Sequence, residues 1–214
     1  FNEVHPTKTY IYCEDEEDLL RRFVKFVEKE SPDILSGYNS NYFDFPYIIS
    51  RIENVYKKEW LKKLSPFGLM PSKYKARNRF SGGSKHTAYE IYGTSQLDWL
   101  ELYRKFTYVN RESYTLNNIA NIELGEKKID YSEYQNLHDL YKNNWKKFID
   151  YNIHDVVLLE KLEDKLKLIE LVVRVAYISK VNYEDVMSPV RVWDIMIYNY
   201  LKEKGTVCLL YTSP

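Results

Sequence analysis

Asp44 and Asp155 are the two carboxylates whose surroundings set them apart. Asp44 ends a polar elbow, Asn39-Ser40-Asn41-Tyr42-Phe43-Asp44, that follows a short apolar run and opens a helical pattern. By itself an aspartate there reads as a helix N-cap. Asp155 closes the stretch Tyr151-Asn152-Ile153-His154-Asp155. Positions four apart share a helix face, so Tyr151 and Asp155 stand together. A hydrogen-bonded surface pair would also explain that spacing. Asp155, however, runs directly into Val156-Val157-Leu158-Leu159. A carboxylate on a mostly buried helix requires a partner or a metal ion.

Other chemistries find less support. His154 points about 100° away from Asp155 around the helix and reads as a packing residue. His5, His86 and His138 form no constellation, and no Ser or Cys is arranged with His and Asp as a nucleophile. Ser81-Gly82-Gly83-Ser84 lacks the Lys-Ser or Lys-Thr of a phosphate-cradling loop. Cys13 and Cys208 are too few and too distant for a disulfide framework or a zinc site, and read as reduced thiols of an intracellular protein. The 31 basic and 31 acidic residues balance, which neither announces nor excludes a nucleic-acid partner. No run approaches the ~20 apolar residues of a membrane helix, and the start has no signal-peptide pattern. The 214 residues suffice for one good-sized domain with its own core.

The elements that must position the two aspartates follow from periodicity. Glu16–Glu30 places Leu19, Leu20, Phe23, Val24 and Val27 at helical spacing, and Pro32 stops it. A buried strand over 33–38 leads into the elbow. A second helix follows, with Pro46 in its first turn and Ile48, Ile49 and Ile52 inward. Segments 73–80 and 86–92 are predicted to form a β-hairpin about Gly82-Gly83-Ser84. Its residues Lys73, Lys75, Arg77, Arg79 and Lys85 interleave with Tyr74, Phe80 and Tyr89, a texture that can hold phosphate and stack on bases. A strand over 94–98 and helices over 99–106 and 115–122 come next. Ser132 with Gln135 has capping-box spacing and predicts a helix start. The stretch from Asn143 to about Ser179 has no Gly or Pro and reads as one long helix, straight or kinked; Ser188-Pro189 opens a last one, to about Lys202.

Taken in order, Gly37-Tyr38-Asn39-Ser40-Asn41-Tyr42-Phe43-Asp44-Phe45-Pro46-Tyr47 and Tyr151-Asn152-Ile153-His154-Asp155 resemble the second and third exonuclease motifs of family B DNA polymerases. Leu97-Asp98-Trp99-Leu100-Glu101-Leu102-Tyr103 and Val186-Met187-Ser188-Pro189-Val190 through Trp193-Asp194 look like the corresponding stretches of T-even-type phage polymerases, at similar spacing. The likeness covers roughly residues 9–205. It implies an α/β, ribonuclease-H-like exonuclease fold, a central mixed sheet flanked by helices with an inserted β-hairpin at about 65–93. It implies two divalent ions, Mg2+ or Mn2+, held by four carboxylates, of which Asp44 and Asp155 match two. Tyr151 would orient the attacking water or the scissile phosphate; a phenol ordinarily titrates near 10, which favours positioning over proton abstraction. Asn39 and Phe43 match positions beside the primer end, although Phe43 suits a core position as well. Leu124-Gly125-Glu126-Lys127-Lys128 resembles the family's Leu-Gly-Glu-x-Lys stretch, with Lys128 matching its lysine near the scissile phosphate. The implied partners are a DNA primer-template with a single-stranded primer 3′ end, polymerase domains of the same chain, and a sliding clamp. The implied setting is the cytoplasm of a phage-infected bacterium, without a membrane.

The sequence also departs from that pattern. The family's first motif, an Asp-x-Glu on a strand, is absent; Asp15 and Glu17 have the spacing but open a helix, where acidic residues suit the positive dipole end. The expectation is that the missing strand lies upstream, that the first residue is not the natural start, and that residues 1–214 alone bind metal weakly and cut little. Residues 1–187 read as a partial exonuclease domain, 188–207 as a helix leading toward a polymerase palm, and Cys208–Pro214 as read-through. A stand-alone exonuclease of the same fold and a non-catalytic DNA-holding module are the rival readings.

Overall fold

A computed structural model describes residues 9–77, 85–130 and 132–206. In chain order its elements are α1 (Glu16–Glu30), β1 (Ile34–Gly37), α2 (Asp44–Tyr56), a 3-10 helix (Lys58–Leu64), β2 (Ser72–Arg77), β3 (Lys85–Glu90), β4 (Ser95–Asp98), α3 (Trp99–Phe106), α4 (Leu116–Leu124), α5 (Leu137–Asn143), α6 (Trp145–Leu166), α7 (Leu168–Ser179), a second 3-10 helix (Tyr183–Met187) and α8 (Pro189–Glu203). Among the described residues the strands make two two-stranded sheets, β1 with β4 and β2 with β3. The chain divides into two units, residues 1–35 with 41–96 and residues 36–40 with 97–214, so it crosses within β1, returns after Ser40 in the elbow, and crosses again within β4.

The first unit is built on α1 and α2. The Asp15 carboxylate accepts the Asp18 N–H and caps α1, so Asp15 and Glu17 belong to an exposed helix start, as their dipole-friendly positions predict. Leu20, Val24 and Val27 face inward with Ile49 and Ile52 of α2 and Leu61 and Leu64 of the 3-10 helix, forming one apolar cluster. Leu19 and Phe23, at the margin of the α1 stripe, stay exposed. Arg51 of α2 grips the Glu16 carboxylate through two bonds of 2.6 and 2.5 Å. Strands β2 and β3 are antiparallel, with Ser72 opposite Glu90 and Arg77 opposite Lys85. The Lys73 amine lies 5.8 Å from the Tyr89 ring centre, and Lys75 donates to the Thr87 hydroxyl at 3.0 Å. The Gly82-Gly83-Ser84 turn, Arg79 and Phe80 lie outside the described residues, as does Cys208–Pro214.

The second unit is helical. α6 packs against α4 and α5, and α3 against α7. Trp99 and Tyr103 of α3 are fully buried, their rings stacked at 5.5 Å between centres. Two expectations need correction here. The stretch read as one helix from Asn143 to Ser179 is two, broken at Lys167, whose φ of 54° is left-handed. The break is stabilised by a side chain. The Glu163 carboxylate turns back to accept the N–H groups of Leu168, Ile169 and Glu170 at 3.1, 3.0 and 3.4 Å, satisfying donors that a helix start leaves open. Nor does Ser132 begin a helix. Its N–H and hydroxyl both go to the Asp130 carboxylate, and α5 starts at Leu137 under Asn136, which accepts the Asp139 N–H. The local Asp130 bonds compete with the capping box. α8 begins at Pro189 as expected, and none of its residues is buried.

Candidate active site on alpha-6

Tyr151 and Asp155 lie one turn apart on α6, as the helical period requires. Tyr151 is buried and Asp155 partly so. Their partner is Lys128, in the loop after α4. Its amine donates to Asp155 Oδ2 at 2.6 Å and to the Tyr151 hydroxyl at 3.1 Å. Lys128 arrives there because its own N–H is held by the Asn117 side chain at 2.9 Å, which ties the loop back to α4, and α4 packs on α6. Burial pulls the Lys128 amine down, but its bonds to Asp155 and Tyr151 outweigh that and hold it above the ordinary lysine value. The amine is therefore protonated throughout the neutral range. The pair explains how α6 tolerates a carboxylate amid apolar residues: it is neutralised in place.

One Asp155 oxygen is left over. Oδ1 is buried and has no hydrogen-bond partner among the described residues. A hard oxygen donor, shielded from water and unspent, suits a divalent cation. No group of three or more His, Cys, Asp or Glu side chains gathers around a point among the described residues.

Asn39, the first residue of the elbow, belongs to the same unit. Its backbone is left-handed, with φ of 63°, a conformation asparagine tolerates better than most residues. Asp98 fixes it. This buried carboxylate takes the Asn39 N–H at 3.1 Å along with those of Leu100 and Glu101 at 3.0 and 3.3 Å, so one side chain both caps α3 and sets the elbow. Gly37 is needed just before it, because a Cβ there would sit 2.9 Å from the Ser40 Cβ.

Asp44 and Phe43 belong to the first unit. Asp44 is not the cap of α2 but its first residue, and Phe43 stands at the cap position with no capping bond. The capping explanation for Asp44 therefore falls away. Its carboxyl is raised above the ordinary value by desolvation, partly offset by its own backbone N–H, although the residue keeps an exposed surface. Phe43 is exposed rather than packed in the core.

Sequence reasoning missed Asn117, the double duty of Asp98, and Glu163. The signal for Asp98 was present, an aspartate between a strand and a helix at a cap position. Nothing local pointed to the other two.

The family model for the exonuclease domain of DNA polymerase family B matches residues 2–119. The DNA-directed DNA polymerase of Escherichia phage RB69 is 32% identical over 198 residues, covering 92% of this chain. That of Enterobacteria phage T4 is 34% identical over the same length and share. The DNA polymerase delta catalytic subunit of Dictyostelium discoideum is 33% identical over 166 residues, 72% of this chain and 14% of its own length. The chain spans 21% of the length of the two phage relatives. With a model match over more than half its residues, the chain belongs to the exonuclease-domain family of the family B DNA polymerases.

Proposed function

We propose that this chain carries the 3′→5′ proofreading exonuclease of a DNA-directed DNA polymerase, removing nucleotides from a single-stranded primer end during replication. The carrying observation is the Lys128–Tyr151–Asp155 cluster: a protonated amine, a phenol and a carboxylate with one unspent oxygen, in a chain of this family. In this reading the fold is ribonuclease-H-like, β2 and β3 form its inserted hairpin, residues 1–187 are exonuclease, and α8 leads toward the polymerase palm of the same chain. The polymerase would work on a primer-template in a phage-infected bacterium, with a sliding clamp as a further partner.

Asp44 and Asp155 would hold two divalent cations, Mg2+ or Mn2+, which when bound activate a water and stabilise the leaving 3′ oxygen. The chain's own residues do the positioning. Lys128 presents a fixed positive charge to the scissile phosphate while it keeps Asp155 oriented. Tyr151 holds its hydroxyl at the same point and orients the phosphate or the water. Asn39, on its rigid elbow, offers a side-chain amide to the terminal nucleotide, and Phe43 an exposed ring.

In the full-length polymerase, a chelator should stop shortening of a 5′-labelled single-stranded primer, and added Mg2+ or Mn2+ should restore it. Shortening that continues under chelation rules the reading out. Lys128→Ala should slow excision by roughly 10–100-fold. It removes two charge-assisted bonds, and about 1.4–2.8 kcal/mol corresponds to that range. Single-turnover excision is the measurement; an unchanged rate would place Lys128 outside the chemistry.

A further inference from the structure

Three contacts join α6 to the end of α4 and the loop that follows it, and they pair in reverse order along the chain. Lys165 donates to the Glu123 carbonyl. Lys161, one turn earlier on the same face of α6, donates to both oxygens of the Glu126 carboxylate, each at 2.7 Å. Asp155 and Tyr151, further back still, meet the Lys128 amine. The first contact has a backbone reason, since the last carbonyls of a helix lack partners and a cation suits that negative end. The third is the candidate site itself. The middle one serves neither need.

The Lys161 and Glu126 side chains are 47% and 41% exposed, and an ion pair so open to water adds little to stability. Its place in the chain gives it another use. Glu126 stands two residues before Lys128, just past the turn that Gly125 makes with a φ of 72°. Asn117 holds the Lys128 N–H from α4. Lys161 holds Glu126 from α6, the helix that carries Tyr151 and Asp155. The loop is thus fastened to both helices immediately before its lysine side chain departs. That side chain must reach two acceptors at once, at 2.6 and 3.1 Å, and misplacement by about 1 Å can cost on the order of a hundredfold in rate.

We propose that Lys161 and Glu126 are positioning residues for excision: their ion pair fixes the loop against α6 and so delivers the Lys128 amine to Asp155 and Tyr151. Neither touches the reacting atoms. The proposal rests on the exonuclease reading and adds to it a pair whose α6 member lies six residues beyond Asp155.

The test uses the full-length polymerase and a 5′-labelled single-stranded primer. Lys161→Glu and Glu126→Lys each set like charges against one another. Each should lower kcat for excision about tenfold while KM stays within about twofold. The double swap restores opposite charges with their places exchanged, and should recover the wild-type kcat to within about threefold. In a Lys128→Ala background, Lys161→Glu should cost nothing further, because the loop then has no amine to place. Losses that the double swap does not recover, or that add in full to Lys128→Ala, overturn the proposal. So does a wild-type kcat in both single variants, and a raised KM with kcat unchanged would mark a DNA-binding charge instead. The two ways of failing read differently. Excision that survives Asp155→Ala removes the exonuclease reading itself. Unrecovered losses, with excision still dependent on Asp155, remove the positioning pair alone.

Discussion

Asp155→Ala in the full-length polymerase is expected to cut primer-end excision about a thousandfold while nucleotide addition continues. The side chain is three-quarters covered, with one oxygen 2.6 Å from the Lys128 amine and the other buried without a hydrogen-bond partner among the described residues. In the proposed reading Asp155 would be a cation ligand, whose loss is worth several kcal/mol, and about 4 kcal/mol corresponds to a thousandfold. Removing it also leaves the Lys128 amine, among the described residues, with the Tyr151 hydroxyl alone. Asp155→Asn separates charge from packing. It fills the same space and keeps an oxygen, so a comparable loss of excision with an intact fold assigns the effect to the carboxylate's charge. Asp44→Ala should give a similar loss, with less risk to stability, because Asp44 is exposed and makes no cap. Nucleotide addition is spared because its own paired aspartates would lie in another domain. The measurement is single-turnover shortening of a 5′-labelled primer beside extension with nucleotides. Undiminished excision in both variants would remove Asp44 and Asp155 from the site.

How much of this was readable beforehand depended on where each determinant sits along the chain. α1, α3 and α8 were legible to the residue or nearly so, because their limits are set locally: Asp15 caps α1, Asp98 caps α3, and Pro189 opens α8. The Tyr151–Asp155 pairing was legible for the same reason, since the helical period alone puts them on one face. The break at Lys167 was not. No glycine or proline marks it; it is held by Glu163, a side chain also engaged by Trp99 from 64 positions away. The Ser132 box misled because its competitor, Asp130, lies just outside the four-residue pattern. The apolar surroundings of Asp155 demanded a partner, but that it is Lys128 depends on the Asn117 bond that ties the loop to α4. Phe43 shows the limit most plainly. An aromatic before a helix fits a core or a binding face equally, and only its exposure in the fold rules out the core.

Glu163 and Trp99 also mark where the second unit is most sensitive. Trp99 has no exposed surface, stacks on Tyr38 at 6.1 Å and Tyr103 at 5.5 Å, and donates its indole N–H to Glu163 Oε2 at 3.0 Å. That same carboxylate collects the first three N–H groups of α7. Trp99→Ala therefore opens a large cavity and releases the carboxylate's anchor at once, and should cost about 3–5 kcal/mol in urea unfolding. Trp99→Phe keeps a ring in the stack and loses the N–H, and should cost about 2 kcal/mol, the scale of a bond to a charged group. Hydrogen exchange makes the link specific. In Trp99→Phe the amides of Leu168, Ile169 and Glu170 should exchange faster, because the carboxylate that holds them is no longer fixed from α3, while amides in the middle of α1 keep their wild-type rates. If those three amides stay protected in Trp99→Phe, the indole is only a filler of space, and the α6–α7 junction owes its stability to something other than the Trp99–Glu163 bond.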